Sequence, residues 1–318
     1  MANLFITGAL GHIGSRLIHE LKPGEFEQVY LLDNLSTQRY SSLFRLPQGV
    51  DFQFIEGDIC NAELDQYIGT GDIVIHLAAI TDATASFEKS QEVERVNLLG
   101  TQRVAEACVR QRAKLFFPST TSVYGTQAEL VDENCPIADL KPQSPYANNK
   151  LKSEQLLTDL GKKQGLKFII CRLGTIYGTS VGMRFHTAVN KFCWQAVMGQ
   201  PITVWKTAYN QKRPYLDVAD CVRAMRFIIA QDLFDRTIYN VVSVNKTVKD
   251  ITDIIASFIP DVEIKFVDTA IMNQLSYEVS SERFAKKGFS AGDTIRQGIA
   301  ETLQLLQSAR ARKKQALI

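Results

Sequence analysis

Tyr146 and Lys150 stand four residues apart in the stretch SPYANNK, residues 144–150. Ser144 is a good helix N-cap and Pro145 suits the first helical position, so the spacing predicts that both side chains share one helix face. A free tyrosine titrates near about 10, too high for a base at neutral pH. A lysine ammonium close by stabilises the phenolate and lowers that value. The pair is then a general base for taking a proton from an alcohol such as a sugar hydroxyl. The plain alternative is a surface Tyr and Lys at helical spacing, which is common. A hydroxyl cluster follows an apolar run in FFPSTTSVYG, residues 116–125. One of these hydroxyls could bond the substrate oxygen beside the tyrosine, or the cluster is a polar loop.

ITGALGHIG, residues 6–14, places Gly8, Gly11 and Gly14 three apart directly after an apolar run. A strand, a glycine turn and a helix make a dinucleotide site. Glycine tolerates the turn, the pyrophosphate needs close approach to the backbone, and the helix start offers unpaired N–H groups. The spacing is GxxGxxG rather than GxGxxG, and a flexible turn with tight helix–strand packing is the alternative. Asp33 ends the second apolar run, 19 residues after Gly14. A carboxylate there accepts hydrogen bonds from the adenine ribose and repels a 2′-phosphate, which favours NAD over NADP; Asp33 would also make a turn before Asn34. Arg16 and Arg39 are the cations that could receive a 2′-phosphate if either folded over the site. An oxidised nicotinamide would itself favour the phenolate of Tyr146.

These residues need a scaffold. NLFI, VYLLD, DFQFIEGD, DIVIHLAA, KLFFPST and KFIICRL read as six strands, with helical spacing over 12–21, 89–111 and 146–163. Alternating strands and helices mean βαβ units and a parallel sheet covered on both faces. Beyond about residue 175 the rhythm changes: a helix over 184–199 precedes PITVW, YLDV, TIYNVV and VEIKFV. The expected fold is α/β, a Rossmann-like doubly wound parallel sheet over residues 1–175, with a stretch near 209–242 returning to it. A smaller α/β substrate domain would occupy most of 176–318, leaving a cleft between the two. No repeat, low-complexity segment or linker interrupts the chain.

Composition fits this frame. The 318 residues are 45% hydrophobic and 22% charged with net charge +2, so nothing points to a nucleic acid or a membrane surface. No run of 18 apolar residues and no signal-peptide pattern occurs. The six scattered cysteines (Cys60, Cys108, Cys135, Cys171, Cys193, Cys221) form no CxxC and read as reduced thiols of a cytoplasmic protein. No metal site is expected. The basic run Arg310–Lys314 reads as a solvated helix end or a contact patch.

Together the motifs resemble the extended short-chain dehydrogenase/reductases of the NAD-dependent NDP-sugar epimerase and dehydratase family, in the manner of UDP-glucose 4-epimerase. TGALGHIG resembles its TGxxGxxG, LLDNLST its NAD-ribose stretch and EGDI the segment whose Asp58 and Ile59 would contact adenine. IHLAA, with Leu77, Ala78 and Ala79, resembles the strand beside the nicotinamide ribose, and VNLLGT the helix motif containing Asn97. KRPYLDVAD resembles the late RxxxHVxD-type motif, and RTIYNVVSVNKTV stands where the family has YNxGxxxxxS.

The resemblance implies catalysis by Thr120, Tyr146 and Lys150, with Lys150 also on the nicotinamide ribose. It implies NAD held by Gly8, Gly11, His12, Ile13, Gly14, Asp33, Asn34 and Asn97, and the substrate held by Ser86, Thr120, Thr175 and Arg213. Thr175 stands where many epimerases have an Asn on the diphosphate. Dehydratases of the family follow the catalytic Thr with Asp-Glu, and the related decarboxylase keeps a Glu; here Thr121 and Ser122 follow, which disfavours both activities. The segment 181–199 should line the sugar pocket, with His186 a polar helix-start residue. The implied activity is epimerisation of an NDP-sugar, most simply at C4, by transient oxidation to a keto-sugar and hydride return. A keto-sugar reductase or dehydrogenase is the alternative, and a silent NAD(P)-sensing protein the remote one. Family members pair the helices matching 89–111 and 146–163 into a four-helix bundle, so a homodimer is implied, with Leu98, Ala105 and Ala147 on the neighbouring faces.

Overall fold

The computed structural model describes residues 1–125, 130–268 and 276–308; the basic run Arg310–Lys314 lies outside them. In chain order the first half carries β1 (Leu4–Thr7), α1 (His12–Glu20), β2 (Val29–Asp33), β3 (Phe52–Glu56), β4 (Ile73–His76), α2 (Ser90–Glu94), α3 (Gly100–Gln111), β5 (Lys114–Thr120), β6 (Leu130–Val131) and α4 (Pro145–Gln164). The second half carries β7 (Lys167–Leu173), β8 (Thr175–Tyr177), α5 (Ala188–Val197), β9 (Ile202–Trp205), β10 (Lys212–Asp217), α6 (Val218–Ala230), β11 (Ile238–Val241), β12 (Val244–Thr247), α7 (Val248–Phe258), β13 (Ile264–Val267), β14 (Glu278–Val279), α8 (Glu282–Ala285) and α9 (Ile295–Gln307).

Seven parallel strands form the central sheet in the order β11-β7-β5-β4-β1-β2-β3. The central strands β1 and β4 are buried along their whole length, as a sheet covered on both faces requires. One apolar cluster joins α1 and α6 to one face; a second joins α3 and α4 to the other. The chain fills the sheet in one direction from β1 to β3 and in the other from β4 onward. The strand order therefore reverses between β1 and β4, where a crevice opens beyond the strand ends.

The later strands sort differently from a single returning block. β11 completes the central sheet, whereas β10 lies in a second, three-stranded sheet ordered β12-β10-β8. That sheet packs with α5, α7 and α9 around a third apolar cluster. Two helices also depart from their sequence expectation. Within 89–111 the stretch Arg95–Leu99 winds as a π-helical turn between α2 and α3, and the helix expected from residue 184 begins only at Ala188. Among the described residues no helix is long and apolar enough to cross a membrane.

Candidate active site

The glycine turn lies at the sheet's switch point, and its three glycines have three different reasons. Gly8 has φ +64°, and a Cβ there would meet the backbone nitrogen of Ala78 at 2.6 Å. A Cβ on Gly14 would meet the carbonyl oxygen of Ala9 at 2.4 Å, so this glycine lets α1 close on β1. Gly11 is different: a Cβ would meet only the Gly8 carbonyl at 3.3 Å and an Arg39 nitrogen at 4.0 Å. The chain's own packing therefore does not exclude a side chain at Gly11; a side chain would instead project over the start of α1. Gly11 caps that helix without a side chain, and no acidic residue occupies its first turn. Open N–H groups and an open approach fit a pyrophosphate.

One half of the cleft, where the sequence expects the adenosine, is walled by Leu32, Asp33, Asn34, Gly57, Asp58, Ile59, Leu77, Ala78 and Ala79. Asp33 accepts from the backbone N–H of Leu10 at 3.1 Å with one oxygen and from Leu35 at 3.0 Å with the other. Each oxygen keeps a lone pair for a ribose hydroxyl. Arg16 is turned to Glu20 and the Thr179 carbonyl, away from Asp33. Arg39 lies at the junction of the two halves of the cleft, beside Gly11.

Beyond the glycine turn the cleft continues between Pro118, Ser119, Thr120, Ser122, Tyr146 and Lys150 on one side and Gly174, Thr175, Ile176, Arg184, His186 and Thr187 on the other. The helix start forms as the sequence predicts: Ser144 accepts from the Ala147 N–H at 3.2 Å, and Pro145 takes the first helical position. Thr120 accepts from the Ser122 N–H at 3.1 Å, which leaves its hydroxyl hydrogen free to donate. Burial raises Tyr146 above its ordinary value, while the Arg184 charge and the Thr120 hydroxyl act to lower it. The cation set against the Tyr146 oxygen is thus Arg184. Lys150 donates instead to the Pro118 carbonyl at 2.7 Å, and its ammonium lies 4.5 Å from the centre of the Phe117 ring. Burial pulls Lys150 down to about 7, against the upward pull of Glu154.

The segment between β8 and α5, expected from the sequence to line the sugar pocket, supplies Arg184, which no motif had assigned, and His186, which lines the cleft just ahead of the helix it was expected to start. It clamps onto α1: His12 Nε2 meets the Gly178 carbonyl at 3.1 Å, and the Gly182 N–H donates to Ser15 Oγ at 2.9 Å. A Cβ on Gly182 would strike the Leu10 carbonyl at 2.2 Å, so this contact needs a glycine. Clamped there, the loop carries Arg184 and His186 into the cleft. Arg184 donates to Thr81, its Nε is buried without a partner, and no salt bridge among the described residues involves it. Burial lowers its basicity, against the pull of Tyr146. The signal for these residues was a basic MRFH segment after β8, but only the loop's docking turns it inward.

Three expected ligand residues have other tasks. Ser86 is fully buried, donates to the Ala83 carbonyl at 2.6 Å and receives the Tyr146 N–H at 3.4 Å. It fastens a loop to the start of α4 and does not line the cleft. Asn97 is buried in the π-helical turn and spends its amide on Ile80, accepting from its N–H and donating to its carbonyl, both at 2.8 Å. It holds the loop whose Thr81, Asp82, Ala83 and Thr84 line the cleft. Arg213 donates to Gln211 at 3.0 Å and is not among the residues walling either half of the cleft.

Comparison with known proteins identifies the family. The chain matches the model of the NAD dependent epimerase/dehydratase family over residues 4–241. It is 29% identical over 315 residues to the Arabidopsis thaliana trifunctional UDP-glucose 4,6-dehydratase/UDP-4-keto-6-deoxy-D-glucose 3,5-epimerase/UDP-4-keto-L-rhamnose-reductase, covering 95% of this chain and 46% of that protein. The chain thus spans about half the length of the curated relatives it first matches. Among solved structures it resembles a Bacillus cereus UDP-glucuronic acid 4-epimerase with NAD (TM-score 0.86, 24% identity, 95% of this chain and 99% of that one). It also resembles a Thermus thermophilus UDP-glucose 4-epimerase with NAD (TM-score 0.78, 26% identity, 94% and 98%). With the glycine turn, the Tyr146–Lys150 helix and the family match over most of its length, the chain belongs to the NAD-dependent epimerase/dehydratase family.

Proposed function

We propose that the protein is an NAD-dependent 4-epimerase of a UDP-sugar. The observation that carries this reading is the Thr120 hydroxyl set against Tyr146 in the cleft, followed by Thr121 and Ser122 where elimination of water would need an acid and a base. Gly8, Gly11, the start of α1 and Asp33 would hold NAD, and Thr120, Thr175 and Arg184 the sugar end of the substrate. Bound NAD supplies reversible hydride transfer. Tyr146 takes the proton from the sugar hydroxyl as oxidation begins and returns it when the opposite epimer forms. Thr120 donates to the reacting oxygen and fixes its position. The Arg184 charge favours the phenolate that Tyr146 must become. The walls of the cleft must leave the keto-sugar room to present its second face.

Purified protein incubated with UDP-glucose, UDP-glucuronic acid and UDP-N-acetylglucosamine, without added reductant, should convert at least one to its 4-epimer. The acidic sugar is included because Arg184 has no salt-bridge partner among the described residues. Accumulation of a dehydrated keto-sugar, or net reduction that consumes added NADH, would replace this reading with a dehydratase or a reductase.

We further propose a cytoplasmic homodimer built on α2, α3 and α4. Leu99 and Phe87, 51% and 47% exposed, are apolar surface on and beside these helices. Ala105 and Ala147, in contrast, are fully used by the chain's own core, so the contact would not rest on them. A two-fold contact uses the same patch on both copies. Light scattering at micromolar concentration should give twice the chain mass, and Leu99→Glu should halve it.

A further inference from the structure

The helix that carries Tyr146 and Lys150 has a third ionisable residue in line. Tyr146, Lys150 and Glu154 follow one another at four-residue steps, so the three lie along one face of α4. Lys150 and Glu154 are both almost inaccessible, at 4% and 2% exposure. An ammonium held in such a place needs compensation, because its desolvation is costly. Its direct contacts are the Pro118 carbonyl and the Phe117 ring face, both uncharged.

Glu154 is meanwhile held with little freedom. Arg172 on β7 grips it with Nε at 3.0 Å and Nη2 at 2.7 Å, and Ser119, the residue before Thr120, donates to it as well. Arg172 is itself stacked over Tyr124, 4.9 Å from its ring centre. The groups facing Lys150 are thus Tyr146 and Glu154 on its own helix, His76 from β4, and, through Glu154, Arg172 and Ser119 from the neighbouring strands. Burial depresses His76 to about 3, so it contributes no positive charge at neutral pH. Among these groups Glu154 alone carries a negative charge.

We propose that Glu154 is a positioning residue for the catalytic lysine: its carboxylate supplies the counter-charge that keeps Lys150 an ammonium inside the protein and ties α4 to the strand end that carries Thr120. The proposal rests on reading Lys150 and Tyr146 as catalytic, but its electrostatic content does not depend on any substrate. A purely structural Glu154–Arg172 pair would hold α4 against β7 and leave Lys150 indifferent to the carboxylate.

The test is the titration of Lys150 itself, followed by NMR through its Cε resonance in protein grown on isotope-labelled lysine and assigned by its loss in Lys150→Met. In Glu154→Gln, which keeps shape and hydrogen-bonding capacity, the midpoint should fall by about one pH unit or more, the scale of losing a nearby opposite charge. If the protein turns over a nucleotide sugar, the alkaline limb of its kcat profile should move down by the same amount. Glu154→Gln leaves Arg172 buried without its partner, which can prevent folding. The double variant Glu154→Gln/Arg172→Met removes both charges; losing the Arg172 cation acts upward on Lys150, so the midpoint should still fall, but by less than in Glu154→Gln. An unchanged midpoint in either folded variant overturns the proposal. A protein with no epimerase activity leaves the titration readable, so failure of the functional reading and failure of this one are separate results.

Discussion

At the scale of single residues, the site separates groups that do chemistry from groups that permit it. In the proposed mechanism Tyr146 accepts the substrate proton, and phenylalanine keeps its ring while removing that oxygen. Tyr146→Phe should lower turnover by at least about 10²-fold, the usual scale of general acid–base catalysis. NAD content, measured on the denatured protein, should stay at the wild-type level; wild-type turnover would remove Tyr146 from its role. The glycine turn gives a sharper comparison. Gly8→Ala and Gly14→Ala each drive a methyl into backbone, at 2.6 Å and 2.4 Å, and should lower the unfolding midpoint. Gly11→Ala meets only the Gly8 carbonyl, at 3.3 Å, and should keep most of the stability while weakening NAD binding. Thermal unfolding and NAD titration on the three variants check this, and a Gly11→Ala protein that binds NAD normally would show that the ligand does not approach there.

At the scale of elements, the π-helical turn between α2 and α3 does work that a regular helix would not make obvious. It holds Asn97 inward, where one amide satisfies both backbone groups of Ile80 and the Asn97 carbonyl accepts from Thr101 at 2.7 Å and from Ser153 of α4 at 3.1 Å. One residue therefore joins the loop after β4, the helix α3 and the catalytic helix. Removing its amide leaves the partly buried N–H and carbonyl of Ile80 unpaired, each costing up to about 1–3 kcal/mol. Asn97→Ala should lose about 2 kcal/mol or more in urea unfolding and weaken substrate binding through the loosened 81–84 wall; a loss under about 0.5 kcal/mol would show that water or a shifted loop takes over both bonds. The dimer proposed above belongs to this scale too, since the same helices would brace Tyr146 and Lys150 from outside.

At the scale of the whole molecule, the sheet's switch point is crossed by a directed chain of hydrogen bonds. Thr7 Oγ1 accepts from the Ala78 N–H at 3.2 Å and lies 2.7 Å from His76 Nδ1, and His76 Nε2 lies 3.0 Å from Thr101 Oγ1, which donates to Asn97. The directions close if Thr7 donates to Nδ1 and the ring proton is on Nε2, which is a neutral histidine. Burial, aided by the Lys150 charge, pushes His76 down to about 3, and burial with the Arg184 charge does the same to His12. Both values lie below the ordinary 6.5, so between about 3 and 6.5 the unfolded chain binds more protons than the folded one. Stability therefore falls as pH drops through that window and is kept above it. The urea midpoint should decline from pH 6.5 to 3, and His76→Asn should flatten part of the decline; an equal slope in that variant would remove His76 as a source.

The glycine turn, the acidic end of β2 and the Tyr146–Lys150 spacing were legible in the sequence because each is local. A tight turn, a strand end and a four-residue helical step are set within a few neighbours, and their chemistry follows from residue type. The alternation of strands and helices fixed the parallel sheet for the same reason, since the apolar runs have no other way to be buried. The tertiary structure decided what distant segments do to one another. It drew Ser86 and Asn97 inward as fasteners, because their polar groups found buried backbone partners that no local pattern announces. It carried Arg184 into the cleft wall, because Gly182 lets the 178–187 loop close on α1. It also set Glu154 behind Lys150 by pairing it with Arg172, 18 residues away in sequence and on another strand. Spacing along one helix could place Tyr146, Lys150 and Glu154 in a row; only packing against β5 and β7 buried that row and set Arg172 against its carboxylate.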